Sequence, residues 1–208
     1  MIYGQTEFNL ARRHHGHVDS PLTELGREQA RRAGAALATL IDPKDAVIFA
    51  SPLGRALHTA RIISDVAAIR KPIVVDPDLM EIGMGSSEGT TESEMAARRS
   101  GTRVGSEGGT MSFQSPDGES LDALAERLEH ALRRVANHVA ASRIIVSHGV
   151  AGRVLRCLHL GLDVAEAHLL DAPQEVLFHL NGSSVARISF ATGEPLRLMM
   201  SRRSASSR

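Results

Sequence analysis

The chain has 208 residues, 42% hydrophobic and 23% charged, which is the composition of a folded domain with its own core. Its 24 basic and 24 acidic side chains cancel to a formal net charge of zero, which excludes a nucleic-acid or anionic-membrane surface spread over the whole protein and leaves any anion to a local pocket. Trp is absent and Tyr occurs once, so base-stacking platforms are excluded; the one cysteine rules out an internal disulfide, and no apolar run reaches the ~18 residues of a membrane span.

In chain order, Thr23 to Leu40 reads as a helix, with Thr23 as N-cap and Ala30, Ala33, Leu37 and Leu40 as its apolar stripe. Ala46 to Ala50 is wholly apolar, as a strand covered on both faces would be. Arg55 to Ile69 reads as a helix and Ile73 to Val75 as a strand. Residues 83–118 are rich in Gly, Ser, Thr and Glu and are expected to form a loop insertion holding a short helix from Glu92 to Arg99. Leu121 to Ala141 is a long helix behind the N-cap Ser120, Arg143 to Ser147 a third buried strand, and Val150 to Leu160 a helix that Gly161 ends. Val176 to Leu180 and Ser184 to Ile188 alternate around Asn181-Gly182 as a hairpin. Residues 201–208 are expected to be a disordered basic tail.

Alternating strands and helices predict a three-layer α/β/α fold, with a mostly parallel mixed sheet that turns antiparallel near its end, in one domain over residues 1–200. Ligands of such sheets sit at the carboxyl ends of the strands. Ser51-Pro52 and Ser147-His148 each follow a buried strand directly, so both are candidate site elements.

Four segments carry a family resemblance in the right order. They are Gly4 to Asn9 with Asp19 to Gly26, Ser51 to Ala56 with Thr59-Ala60, Leu79 to Gly89, and Ser147-His148-Gly149. Together they resemble the histidine phosphatase superfamily, the phosphoglycerate mutase-like proteins, and at this length its small phosphatase branch. The resemblance implies phosphomonoester hydrolysis or transfer through a phosphohistidine, on a small phosphorylated metabolite, without metal or other cofactor.

Such chemistry needs a nucleophile in line with the leaving oxygen, cations on the equatorial oxygens, and a proton donor for the leaving group. Arg55 matches the family's second clamp arginine and stands at a helix start, where backbone N–H groups also favour an anion. His148 matches the second histidine, which steadies the transferring phosphoryl group, and Gly149 beside it lets backbone approach a ligand. Glu81 matches the acid–base glutamate, although Ser87 stands where the family carries an aromatic residue. Gln5, Thr6 and Asn9 match positions lining the phosphate pocket. Each has a plainer reading: a helix-capping arginine, a turn histidine, a solvated loop acid, a capping asparagine. Glu88 matches a structural glutamate. His14, His15 and His17 read as a loop cluster; no carboxylate or Cys spacing completes a metal site around them.

The opening departs from the pattern. The family runs a hydrophobic strand into R-H-G-[EQ]-T-x-x-N, its His being the nucleophile, whereas Ile2 and Tyr3 precede Gly4 here. Either these two replace the Arg-His pair, or Met1 to Tyr3 is the usual start of the strand and about four residues are deleted before Gly4, the version favoured slightly by the residue types. Both leave the first strand truncated, Tyr3 nearest the vacant nucleophile position, and one clamp arginine gone. Catalysis is therefore expected to be impaired or absent. The alternatives are a phosphate-ligand-binding pseudoenzyme, a truncated copy of an active phosphatase, or a scaffold used only structurally. No signal-peptide pattern opens the chain, so a cytoplasmic setting is the expectation.

Overall fold

The computed structural model describes residues 1–100, 117–191 and 197–201. The centre of the expected insertion and the expected tail beyond Ser201 lie outside the described residues.

Strand β1 (Ala46–Ala50) is buried at all five positions because it is the middle of a parallel sheet in the order β2-β1-β3, where β2 is Val74–Val75 and β3 is Ser142–Val146. Its side chains alternate between two cores. Ala46, Ile48 and Ala50 join Ala33 and Leu37 of helix α2 (Glu24–Leu40) and Ala60 and Ile63 of helix α3 (Gly54–Val66). Val47 and Phe49 face Leu124 and Leu128 of helix α5 (Leu121–Ala136) and Val154 and Cys157 of helix α6 (Gly149–Leu160). Two-sided burial explains the unbroken apolar run, and gives the three expected layers.

Local chemistry sets the helix ends. Thr23 and Ser120 accept N–H bonds from Gly26 and Ala123, as N-caps do. Helix α3 stops three residues before Ile69, since Ala68 turns left-handed at φ 55°. Helix α5 ends at Ala136, short of Ala141, because the Arg143 guanidinium takes the Ala136 and His138 carbonyls and leads the chain into β3. Within the insertion, helix α4 (Glu92–Ser100) forms as expected. An unforeseen single turn, α1 (Glu7–Leu10), is built by a capping box between Thr6 and Asn9.

Strands β4 (Val176–Asn181), β5 (Ser184–Ser189) and β6 (Arg197–Ser201) make an antiparallel sheet. The register pairs Asn181 with Ser184, so the turn is Gly182-Ser183, one residue later than expected, with Gly182 at φ 54°. The parallel and antiparallel portions are both present, yet among the described residues they are separate three-stranded sheets. Ile145 is only half-buried because the outer edge of β3 opens onto a cavity rather than onto another strand.

Met1 to Tyr3 make a single parallel bridge, Ile2 to Ser147. The Met1 ammonium donates to the Ile145 carbonyl at 2.8 Å, and Tyr3 N–H to the Ser147 carbonyl at 3.1 Å. These residues thus lie beside the carboxyl end of β3. The deletion alignment, which makes them the start of the strand, is not what the structure follows: Ile2 and Tyr3 take the last two places before Gly4. Cys157 is fully buried and its thiol pKa is raised, mainly by burial. Among the described residues, no helix is long and apolar enough to cross a membrane.

Candidate functional site

The carboxyl ends of β1 and β3 bring Ser51, Arg55 and His148 together. Arg55, on the first turn of α3, is 1% exposed. Its guanidinium donates to the Gly16 carbonyl at 2.8 Å, the Val18 carbonyl at 3.0 Å and the Asp19 carboxylate at 3.3 Å. Its Nε has no partner among the described residues. The cation is therefore committed to the loop between α1 and α2, and it lies 5.0 Å from the centre of the Tyr3 ring.

His148 is wholly buried, with Nε2 at 2.7 Å from the Ser51 hydroxyl and Nδ1 without a partner among the described residues. Burial first, and then Arg55, hold its pKa well below the ordinary histidine value, so the ring is neutral.

Tyr3 fills the middle. Its ring centre is 5.3 Å from that of His148 and 5.6 Å from that of His15. Its pKa is pushed up to about 12 by burial, against the pull of Arg55.

His15, read from sequence as part of a loop cluster, is a buried member of the site. Its Nε2 lies 2.7 Å from the Thr6 hydroxyl and its Nδ1 3.5 Å from the Tyr3 hydroxyl. Burial and the nearby Arg55 lower its pKa to about 4. The rest of the cluster disperses: His14 pairs with Glu92 at the surface and His17 bonds the Glu81 carbonyl. Among the described residues, no group of His, Cys, Asp or Glu is arranged to hold a metal ion.

Glu81 is buried rather than held over the site on an open loop. Its carboxylate accepts from Val150 N–H at 3.1 Å, Ala151 N–H at 2.9 Å and its neighbour Ile82 N–H at 3.1 Å. It thereby caps α6, whose N-cap residue His148 offers no side-chain bond of its own. Gly149 packs against this carboxylate: a side chain there would begin 3.7 Å from Glu81 Oε2.

Gln5 is turned away, its side-chain oxygen accepting from the Thr23 hydroxyl. The Asn9 side-chain oxygen accepts from Thr6 N–H and from the Gln174 amide. The structure therefore converges Tyr3, Arg55, His148, His15 and Thr6, sets Glu81 and Gly149 alongside, and assigns Gln5 and Asn9 to local bonding. Glu88 ties loops together, accepting from His17, Val18 and Met84 N–H groups, as expected.

Arg127 was not foreseen. It donates to the Asp78, Met80 and Glu81 carbonyls and to both Glu119 oxygens, fixing the segment that carries Glu81. Its sequence signal is weak: one arginine among several on a helix of mixed charge. Gln174, far along the chain, gave no signal.

The sequence profile of the histidine phosphatase superfamily (branch 1) matches residues 3–184. A protein of Enterobacter sp. (strain 638) described as probable phosphoglycerate mutase GpmB is 35% identical over 189 residues, 90% of this chain and 82% of that protein. One of the same description from Erwinia tasmaniensis is 37% identical over 161 residues, 77% and 73% of the two chains. Among solved structures, a mycobacterial glucosyl-3-phosphoglycerate phosphatase complexed with VO3 superposes with a TM-score of 0.69 at 26% identity, covering 96% of this chain and 94% of its own. Bacillus stearothermophilus YhfR gives 0.67 at 27% identity, covering 95% and 92%. With its motifs in order and its fold matched end to end, the chain belongs to the histidine phosphatase superfamily, branch 1.

Proposed function

We propose that this member of the family is a pseudoenzyme: it keeps the frame of a pocket for small phosphorylated metabolites but has lost phosphomonoester turnover through a phosphohistidine. The observation that carries this reading is the Tyr3 ring, which occupies the centre of the site under Arg55 and beside His148. A phenol whose pKa is pushed up to about 12 is a poor nucleophile at neutral pH. The remaining parts are also diverted. Arg55 is bonded to main-chain carbonyls in place of phosphoryl oxygens, and Glu81 accepts helix N–H bonds, which favours its ionised form over a proton donor.

The test is hydrolysis of p-nitrophenyl phosphate by the purified chain beside the double variant Ile2→Arg/Tyr3→His. The native chain is expected to match a heat-inactivated control and the variant to exceed it. Native turnover equal to or above that of the variant overturns the reading. Stabilisation of the native chain by orthophosphate, without turnover, supports a surviving ligand pocket.

A second reading rests on His15, a neutral buried imidazole beside Arg55 and Tyr3. With the Thr6 bond released, its Nε2 lone pair would attack phosphorus, the P–O bond to the leaving alcohol would break, that oxygen would take a proton, and water would later hydrolyse the P–N bond. Native turnover abolished by His15→Ala and retained by Tyr3→Phe is the outcome that selects this reading.

A further inference from the structure

Two sheet edges face each other across an apolar slot. Strand β3 is paired with β1 on one side only, and β4 is paired with β5 on one side only. Between them lies a cavity of about 660 Å³, lined by Ser142–Ile145 of β3 and Leu177–Asn181 of β4. Sheet edges in folded proteins are usually covered, charged or kinked, because an open edge is a template for another strand. Here the two open edges are roofed and floored by apolar side chains: Leu37 and Leu40 of α2 on one face, Leu132, Val135 and Leu155 of α5 and α6 on the other. A segment lying between them meets hydrocarbon on both faces, so it must be apolar at successive positions, as β1 is.

The direction of that segment is fixed by the chain itself. Ser147 N–H donates to the Met1 carbonyl and Tyr3 N–H to the Ser147 carbonyl, the rungs of a parallel ladder on the outer edge of β3. Ser51 N–H takes the Val146 carbonyl on the opposite edge. By that alternation Ile145 and Arg143 turn their main-chain groups to the slot. The ladder stops at Met1, whose ammonium is buried against the Ile145 carbonyl. Burial, reinforced by Arg156, drops the pKa of that group to about 5. A carboxylate placed against it would restore its charge and pair with it.

We propose that this slot is a strand-acceptor site for an extended apolar peptide of about four to five residues, supplied in trans, running parallel to β3 and ending in a free carboxylate at the Met1 ammonium. Main-chain bonds to Arg143 and Ile145 give affinity, the two apolar walls select the side chains, and the ammonium selects the chain end. The inference concerns a site on the other side of Tyr3 from Arg55 chemistry and stands whether or not the pocket turns over phosphoesters.

The probe is a synthetic peptide, Lys-Lys-Val-Val-Ile-Val, with an N-terminal fluorophore and a free C-terminus, titrated by anisotropy against the full chain with its amino terminus unblocked. Three controls accompany it: the C-terminal amide, a peptide with alternate valines replaced by proline, and the variant Leu40→Glu. Leu40 is 47% exposed at the rim of the slot, so a charge there is compatible with folding, which an unchanged urea midpoint verifies. The expected result is saturable binding to the native chain, at least about fivefold weaker binding of the amide, as loss of one partly buried ion pair implies, no binding of the proline peptide, and loss of binding in Leu40→Glu. Slowed amide exchange at Arg143 and Ile145 on binding would locate the peptide. Absence of saturable binding, equal binding of the amide or the proline peptide, or undiminished binding by Leu40→Glu overturns the proposal. A dimer of the chain that the peptide fails to dissociate does so too, since a second copy would then be the occupant.

Discussion

Arg55 shows how one side chain can be indispensable without touching a ligand. Its planar fork satisfies the Gly16 and Val18 carbonyls, and the same group stacks on Tyr3. Lysine carries the charge but cannot reproduce two divergent N–H bonds. Arg55→Lys is expected to cost about 2 kcal/mol, the penalty of one buried acceptor left unsatisfied, read from urea midpoints. Tyr3→Phe should stay within about 0.5 kcal/mol, since the hydroxyl makes only a long contact to His15. The two buried histidines give the site a pH signature. Both pKa values lie below the unfolded value, so between pH 6.5 and about 4 the unfolded chain takes up protons that the folded chain refuses. Stability is expected to be full above pH 6.5 and to fall as pH is lowered through this window, and His15→Gln should flatten the slope. A native chain as stable at pH 4.5 as at pH 7.5 would contradict it. Arg55, His148 and Glu81 were legible as positions because each sits in a local motif. Their engagements were not, because a hydrogen-bond partner tens of residues away leaves no mark on the neighbouring sequence.

At the scale of elements, two crossings hold the opening segment in place. Gly4 and Gly26 let the residues before α1 pass directly over the first turn of α2: a Cβ on Gly26 would fall on the Gln5 carbonyl, and one on Gly4 on the Gly26 carbonyl. Both obstacles are backbone and cannot swing aside. Gly26→Ala is therefore expected to cost more than about 3 kcal/mol, at the severe end for overpacking, with melting temperature as the measure. The second crossing is Arg127, which joins α5 to the strand-like run 78–81. Arg127→Ala should destabilise by roughly 2–3 kcal/mol, through carbonyls and a carboxylate left without their donor. The elements themselves were largely readable. The apolar run of β1, the Thr23 and Ser120 caps and the Gly161 stop follow from nearest-neighbour chemistry. The early end of α5 was not readable, because it depends on Arg143 reaching back to a helix that local propensity would have continued.

At the scale of the whole molecule, the feature that sequence could state only as a deficit is a gap with a shape. Three residues before Gly4 cannot make a strand of typical length, about five to six, and the result is two sheets held together by helices α2, α5 and α6 rather than by a shared ladder. Cooperativity should be uneven as a consequence. Amides of β1, flanked by strands on both sides and helices on both faces, are expected to exchange at the rate of global unfolding, and those of β4 measurably faster through local opening. Equal protection in the two strands would show that the helices alone couple the sheets. Cys157 offers an independent view of the same event. It is the chain's one thiol, and it is sealed under α6, next to residues that line the gap. With its sulfur out of reach and its proton firmly held, a water-soluble alkylating reagent must wait for α6 to lift. The speed of labelling is then a stopwatch on that lifting, readable by intact mass without engineering any reporter into the protein.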